Sequence, residues 1–232
     1  MHWAWIEQLT TGELVIDGPE AHHLLHVLRM RTGNSLVLFD GTGNVADAVI
    51  LETGRRVVKV LAAEIHQPHN RLKTRLTVAA APPKGDRLRT MVEKLTELGV
   101  HRLILLETER SVTTPGEARV EKLRTSVVAA CKQARRPVLM ELQPLTSFTS
   151  LLHQIVPEKL TLFAAHPHKE FNPVLTCNGP APVLLIGPEG GFTTQEVSQL
   201  HSAGTQFIAW PNTILRTETA AVVFATLLLH AR

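Results

Sequence analysis

Two short stretches of this chain carry residue types that chemistry can use. One is Gly187-Pro188-Glu189-Gly190-Gly191, and the other is Ile214-Leu215-Arg216-Thr217-Glu218-Thr219 downstream of it. Three glycines let a backbone take positive φ or approach a guest closely, and such a loop leaves N–H groups free to face that guest. The second stretch places a guanidinium and a carboxylate two residues apart. The plain structural account is that Glu218 favours the N-terminus of a helix and Arg216 pairs with it. A chemical account depends on what the two loops hold.

The elements that must position them read out of the flanking sequence. Val183–Ile186 is a short apolar run, predicted as a buried strand ending on the glycine loop. Thr193-Thr194-Gln195-Glu196 has the capping-box spacing, so a helix starts there and stops near Gly204. Phe207–Trp210 reads as the next buried strand, Pro211-Asn212 breaks it, and an apolar helix closes the chain. Both loops then leave the same ends of two strands, where open α/β sheets bind ligands.

Upstream, Leu76–Ala80, Leu103–Leu106 and Thr161–Ala165 are predicted strands and Glu117–Ala134 a helix. Leu88, Met91, Val92, Leu95 and Leu98 mark one face of another helix, which Gly99-Val100 stops in the Schellman pattern. Strand and helix alternate, which predicts an α/β unit with a mostly parallel sheet and helices on both faces. Before the polar stretch Gln67–Lys73, read as a linker, the pattern is different. Asp17-Gly18-Pro19-Glu20 is a turn, His22–Met30 a short helix, and Ser35–Phe39, Val45–Ile50 and Arg56–Leu61 strands, the first two around the hairpin signal Asp40-Gly41-Thr42-Gly43-Asn44. Short strands and tight turns predict a small barrel.

Composition sets bounds on function. At 232 residues with 44% hydrophobic and 19% charged side chains, the chain reads as two globular domains rather than a disordered polymer. Ala220–Leu229, its longest apolar stretch, is too short to span a bilayer. No export signal is evident, so cytoplasm is the expected compartment. Cys131 and Cys177 have no disulfide or zinc spacing and are expected to be buried small hydrophobes. Among 12 histidines, accidental pairs such as His22 with His26 and His166 with His168 are expected, and neither pair has a further ligand at metal spacing. No metal is expected. Dinucleotide and P-loop fingerprints are missing, which disfavours those ligands. Residues 1–70 carry 5 Lys+Arg against 8 Asp+Glu, while residues 71–232 carry 19 against 13, so any polyanion should lie mostly along the larger part.

GPEGGFTTQE followed by ILRTETA resembles the ribosomal small subunit methyltransferase E family of the SPOUT superfamily. HHLLHVLRMRTGNSLVLFDGTGN resembles that family's N-terminal RNA-binding barrel, similar to PUA domains, and KGDRLRTMVEKLTELGV matches its pattern as well. The resemblance implies a PUA-like barrel over 1–69 and a SPOUT domain over 73–232 with a deep trefoil knot. Chain-connection rules alone would have excluded such a knot. It further implies a homodimer that uses S-adenosyl-L-methionine to methylate N3 of a uracil in 16S ribosomal RNA of the small subunit. Carried over by residue, the cofactor pocket takes Ala165, His166, Gly187, Gly190, Gly191, Trp210, Ile214, Leu215 and Thr219. Catalysis falls to Arg216, holding a carbonyl oxygen as charge develops, and to Glu218 or Glu189 as proton acceptor. Arg29, Lys84, Arg87, Lys94, Gln133 and Arg136 are the expected RNA contacts, although charged residues on a solvated helix face explain Lys84, Arg87 and Lys94 equally well. Trp210-Pro211-Asn212-Thr213 departs from the family's usual Leu-Gly-x-Arg or Leu-Gly-x-Lys. Rival readings are a non-catalytic RNA-binding or ribosome-assembly protein on this fold and a SPOUT enzyme acting on transfer RNA.

Overall fold

The computed structural model describes residues 1–68, 74–158, 160–167 and 181–230. Most of the expected linker, His168 and Cys177 lie outside that set. The chain divides into two compact units, Met1–Arg71 together with Val128–Leu139, and Leu72–Val127 together with Met140–Arg232.

The first unit contains β1 (His2–Trp5), β2 (Gly12–Ile16), α1 (Gly18–His22), β3 (Ser35–Phe39), β4 (Val45–Thr53) and β5 (Val58–Ala62). Its sheet runs β1-β3-β4-β5-β2, with β1 parallel to β3 and the remaining pairs antiparallel. Alternation in β4 and β5 turns Ala46, Ala48, Ile50, Val58, Val60 and Ala62 inward, where they meet Ala21 and Leu24 in one cluster. The turn expected at Asp17–Glu20 is instead the start of α1. Asp17 is extended ahead of the helix and Pro19 sits in its first turn, where its missing N–H is not needed. The predicted helix at His22–Met30 is a single π-helical turn, His23–Val27, continuing α1. Asp40 closes the hairpin turn as expected, accepting hydrogen bonds from Thr42 N–H (2.8 Å) and Asn44 Nδ2 (2.8 Å).

The second unit holds β6 (Thr77–Ala80), α2 (Arg87–Leu98), β7 (Arg102–Glu107), the first part of α3 (Glu117–Ala134), β8 (Glu141–Ser147), α4 (Phe148–Ile155), β9 (Leu162–Ala165), β10 (Val183–Ile186), α5 (Thr194–Ser202), β11 (Gln206–Ile208) and α6 (Thr217–His230). Six parallel strands run in the order β11-β9-β10-β6-β7-β8. All four residues of β10 are buried, as a strand covered on both faces requires. Gly99 stops α2 at φ 92°, with Val100 N–H donating to Leu95 O at 3.1 Å, the expected Schellman closure.

The expected strand Phe207–Trp210 is shorter and earlier than predicted, and β8 and α4 had no counterpart among the sequence expectations. Pro144 hides β8: it cannot donate to a ladder, and the structure tolerates it because β8 is an edge strand whose register slips between Ile104 and Leu105 of its neighbour. The last residues of α3 belong to the first unit, where Lys132 Nζ pairs with Glu20 at 2.7 Å and Leu139 N–H donates to Gly41 O at 2.9 Å. α6 was expected to need cover almost all round. Ala220, Ala221, Phe224, Ala225, Leu228 and Leu229 are buried and the helix packs on α2, β6 and β10 of its own unit, leaving Leu227 exposed.

Candidate active site

Strand register brings the site together. Ile186, Ala165 and Ile208, at the carboxyl ends of β10, β9 and β11, stand side by side as paired neighbours. The three loops that follow therefore leave the sheet at one level, and His166 N–H donates to Ile208 O at 2.9 Å across two of them. Between these loops and α6 lies a cleft of about 410 Å³. Ala165, His166, Gly187, Glu189, Gly190, Gly191, Trp210, Ile214, Leu215 and Arg216 all line it. Thr219 does not; it is exposed on α6, and its neighbours Thr217 and Ala220 line the cleft instead.

The glycine loop is built differently from its sequence reading. Only Gly191 has positive φ, 66°, closing a turn in which its N–H donates to Pro188 O at 2.8 Å. Gly187 lies against the Phe192 ring, which a Cβ would meet at 3.3 Å. Gly190 presents its carbonyl to Arg110, whose Nη1 donates to it at 2.8 Å. Thr193 and Glu196 make the expected capping box for α5, at 3.2 and 2.8 Å. Thr217 Oγ1 donates to Gly187 O at 3.3 Å, tying the loop to the first turn of α6.

Arg216 is exposed at the cleft and makes no ion pair with described residues. Glu218 is outside the cleft lining and does not pair with Arg216. Its carboxylate is met by Arg87 Nη1 at 3.8 Å, and the same guanidinium meets Glu189 through Nη2 at 3.4 Å. Ile214, 78% exposed, and Trp210, 39% exposed, leave apolar surface at the cleft. Arg110, Phe192 and Phe224 also line it and were absent from the sequence reading. Arg110 was accessible to inference, since it follows β7 and loops at the carboxyl ends of parallel strands converge. Phe224 was hidden among the apolar residues of α6.

The expected RNA contacts divide between the units. In the second, Lys84 is exposed and Lys94 is engaged by Glu97 at 2.9 Å, one turn along α2. In the first, Arg29 is exposed with φ 52°, and Gln133 is exposed near the end of α3. Arg136 is partly buried, and that burial pulls its guanidinium below the ordinary arginine value against the opposing effect of Cys131. Among the described residues no group of three or more His, Cys, Asp or Glu could hold a metal ion, and no helix is long and apolar enough to cross a membrane.

A parallel sheet with a glycine loop and a cleft beyond its carboxyl ends is an arrangement that holds small-molecule ligands in open α/β proteins. A family model described as an RNA methyltransferase domain matches residues 70–229, and one described as an RNA methyltransferase PUA domain matches residues 16–61. The ribosomal RNA small subunit methyltransferase E of Mycobacterium bovis is 33% identical over 229 residues, covering 92% of this chain and 85% of its own. The structure of the Neisseria gonorrhoeae enzyme of the same name, bound to S-adenosyl methionine, superposes with a TM-score of 0.86 at 26% identity, covering 98% of this chain and 96% of that one. A Legionella pneumophila structure with bound cofactor SAM gives 0.84 at 26% identity, over 98% and 95%. The chain belongs to the ribosomal RNA small subunit methyltransferase E family.

Proposed function

We propose that this protein transfers a methyl group from S-adenosyl-L-methionine to N3 of a uracil in the 16S ribosomal RNA of the small subunit. The observation that carries this reading is the cleft at the ends of β9, β10 and β11 with an unpaired Arg216 at its wall. Its residues suit the cofactor. About 410 Å³ falls within the range of small-molecule sites, roughly 300–1,000 Å³. Ile186, Ile208 and Phe224 make its walls apolar, and exposed Ile214 and Trp210 offer surface that a flat ring would cover.

When bound, the cofactor supplies an electrophilic methyl group on a sulfonium sulfur. The chain's own residues must manage the uracil. Its N3 is an imide nitrogen that loses its proton as the new N–C bond forms, while negative charge spreads to the flanking carbonyl oxygens. On this reading Arg216, at the cleft wall, holds one of those oxygens. Glu189, which lines the cleft, receives the proton, and Glu218, outside the lining, serves it indirectly.

The same reading includes a homodimer, supported by the apolar side chain of Leu227 standing 39% exposed on α6. It also includes a trefoil knot in the second unit and action in the cytoplasm on ribosomal RNA. Lys84 and Arg29 are the exposed cations offered to phosphate in their respective units.

Two measurements test the function. Titration calorimetry should give saturable heat with S-adenosyl-L-methionine; no binding would leave a non-catalytic RNA-binding protein. A methyl on N3 blocks the Watson–Crick edge, so reverse transcription of small-subunit RNA should show one stop that disappears on gene deletion and returns with the wild-type gene. A stop appearing in transfer RNA instead would transfer the substrate assignment there.

A further inference from the structure

We propose that Arg87 is a positioning residue of the cofactor cleft, holding the glycine loop against the first turn of α6 and so setting cofactor affinity before any RNA arrives. The inference rests on the functional reading above and goes beyond it, because the sequence placed Arg87 among the RNA contacts.

Arg87 itself is not part of the cleft lining. It projects from the first turn of α2, with Nε donating to Lys84 O at 3.3 Å, Nη2 at 3.4 Å from Glu189 Oε1 and Nη1 at 3.8 Å from Glu218 Oε2. One carboxylate belongs to the glycine loop that walls the cleft and the other to α6. A single planar cation thus spans the seam between the two segments, with one nitrogen of its fork toward each carboxylate. Glu218 makes the arrangement necessary. Its Oε2 is buried and accepts no hydrogen bond, and its side chain is only 14% exposed. A buried carboxylate oxygen without a donor is costly unless a cation stands near it, and Arg87 is that cation.

Without Arg87, two carboxylates that now share one guanidinium would repel each other across the seam. The Thr217–Gly187 hydrogen bond would be left to hold the loop to α6. Loosening that seam shifts Glu189 and the glycine backbone together, and both face the cleft.

Calorimetry with S-adenosyl-L-methionine on the full chain, in the absence of RNA, tests the proposal. Arg87→Ala should weaken binding by about two- to fivefold, the scale of a partly exposed ion pair, and Arg87→Lys should recover only part of the loss. Adding Glu189→Gln to Arg87→Ala removes the repulsion, so the double variant should bind more tightly than Arg87→Ala alone, a recovery that loss of packing would not produce. Should Arg87→Ala fail to fold, the same comparison is made with Arg87→Gln, which keeps a long side chain without the charge. Wild-type cofactor affinity in Arg87→Ala with reduced RNA affinity would overturn the proposal and restore Arg87 to phosphate binding. Independent, multiplying losses in the double variant would overturn it too. Failure of the wild type to bind the cofactor is a separate result that removes the functional reading as well.

Discussion

The Glu109 backbone N–H donates to Glu196 Oε1 at 3.0 Å, joining the loop after β7 to the start of α5 across 87 residues of sequence. The other oxygen of the same carboxylate accepts from Thr193 N–H at 2.8 Å. Glu196 is a buried acid with both oxygens committed, so its capping role and its role between loops cannot be separated by substitution. Glu196→Ala should cost about 2 kcal/mol, from one buried and one part-buried backbone donor left unpaired, while the Thr193 cap itself remains. Urea unfolding monitored by circular dichroism measures this, and Glu196→Gln should recover only a small part of the loss, because its NH2 group must face one of the two backbone donors.

Gly191 and Gly190 should differ sharply in their tolerance of alanine. Gly191 holds φ at 66°, and a Cβ there brings about 1–2 kcal/mol of strain into the cofactor loop. Gly190 has no such φ, and its added Cβ would meet Arg110 Cδ at an ordinary 3.4 Å. Cofactor titration should therefore show a clear loss for Gly191→Ala and a small one for Gly190→Ala. Equal losses would mean that close approach to the ligand, rather than backbone conformation, governs both positions.

Arg216→Ala should leave cofactor binding near that of the wild type while methylation falls by about a hundredfold or more, the usual consequence of removing one positioned electrostatic group. The separation is expected because Arg216 is exposed and supports no other described side chain. Single-turnover methylation of small subunits with labelled cofactor reads the chemical step, and a wild-type rate would remove Arg216 from the mechanism.

Asp40 provides a pH signature in the first unit. Burial pushes its carboxyl upward, but hydrogen bonds from Thr42 N–H, Asn44 and the Thr42 hydroxyl outweigh that and hold it below its ordinary value. A carboxyl depressed by folding stabilises the native state above its unfolded value, and the contribution disappears as pH falls through the folded one. Asp40→Asn should therefore be less stable than the wild type near neutral pH, with the difference shrinking as pH drops from about 5 toward 2. Thermal unfolding across that range measures it; a constant difference would show that the turn's geometry, not its charge, matters.

Local physics was legible in the amino-acid sequence wherever a few adjacent residues settle the free energy. Val183–Ile186 had to be a buried strand, Thr193 and Glu196 had to cap a helix, and Gly99 had to end one, because each depends on neighbours within a turn or a strand. The glycine loop and the Ile214–Thr219 stretch were marked as a candidate site by the strand ends they follow and by the family resemblance of their motifs. Tertiary structure decided what depends on distant partners. Pro144 concealed β8 because only an edge position with slipped register tolerates it, and Asp17–Glu20 became a helix start rather than a turn. Register between β9, β10 and β11, set by pairing across the sheet, converged three loops on one cleft. The loop after β7 brings Arg110 into the lining, and Thr219 on α6 stays outside it. Arg87 shows the division most clearly. Its sequence neighbours mark it as a charged residue on a solvated helix face, and only the folded chain brings it Glu189 and Glu218, each more than a hundred residues away along the chain. An ion pair's strength is set by a distance of a few ångströms, and sequence separation says nothing about it.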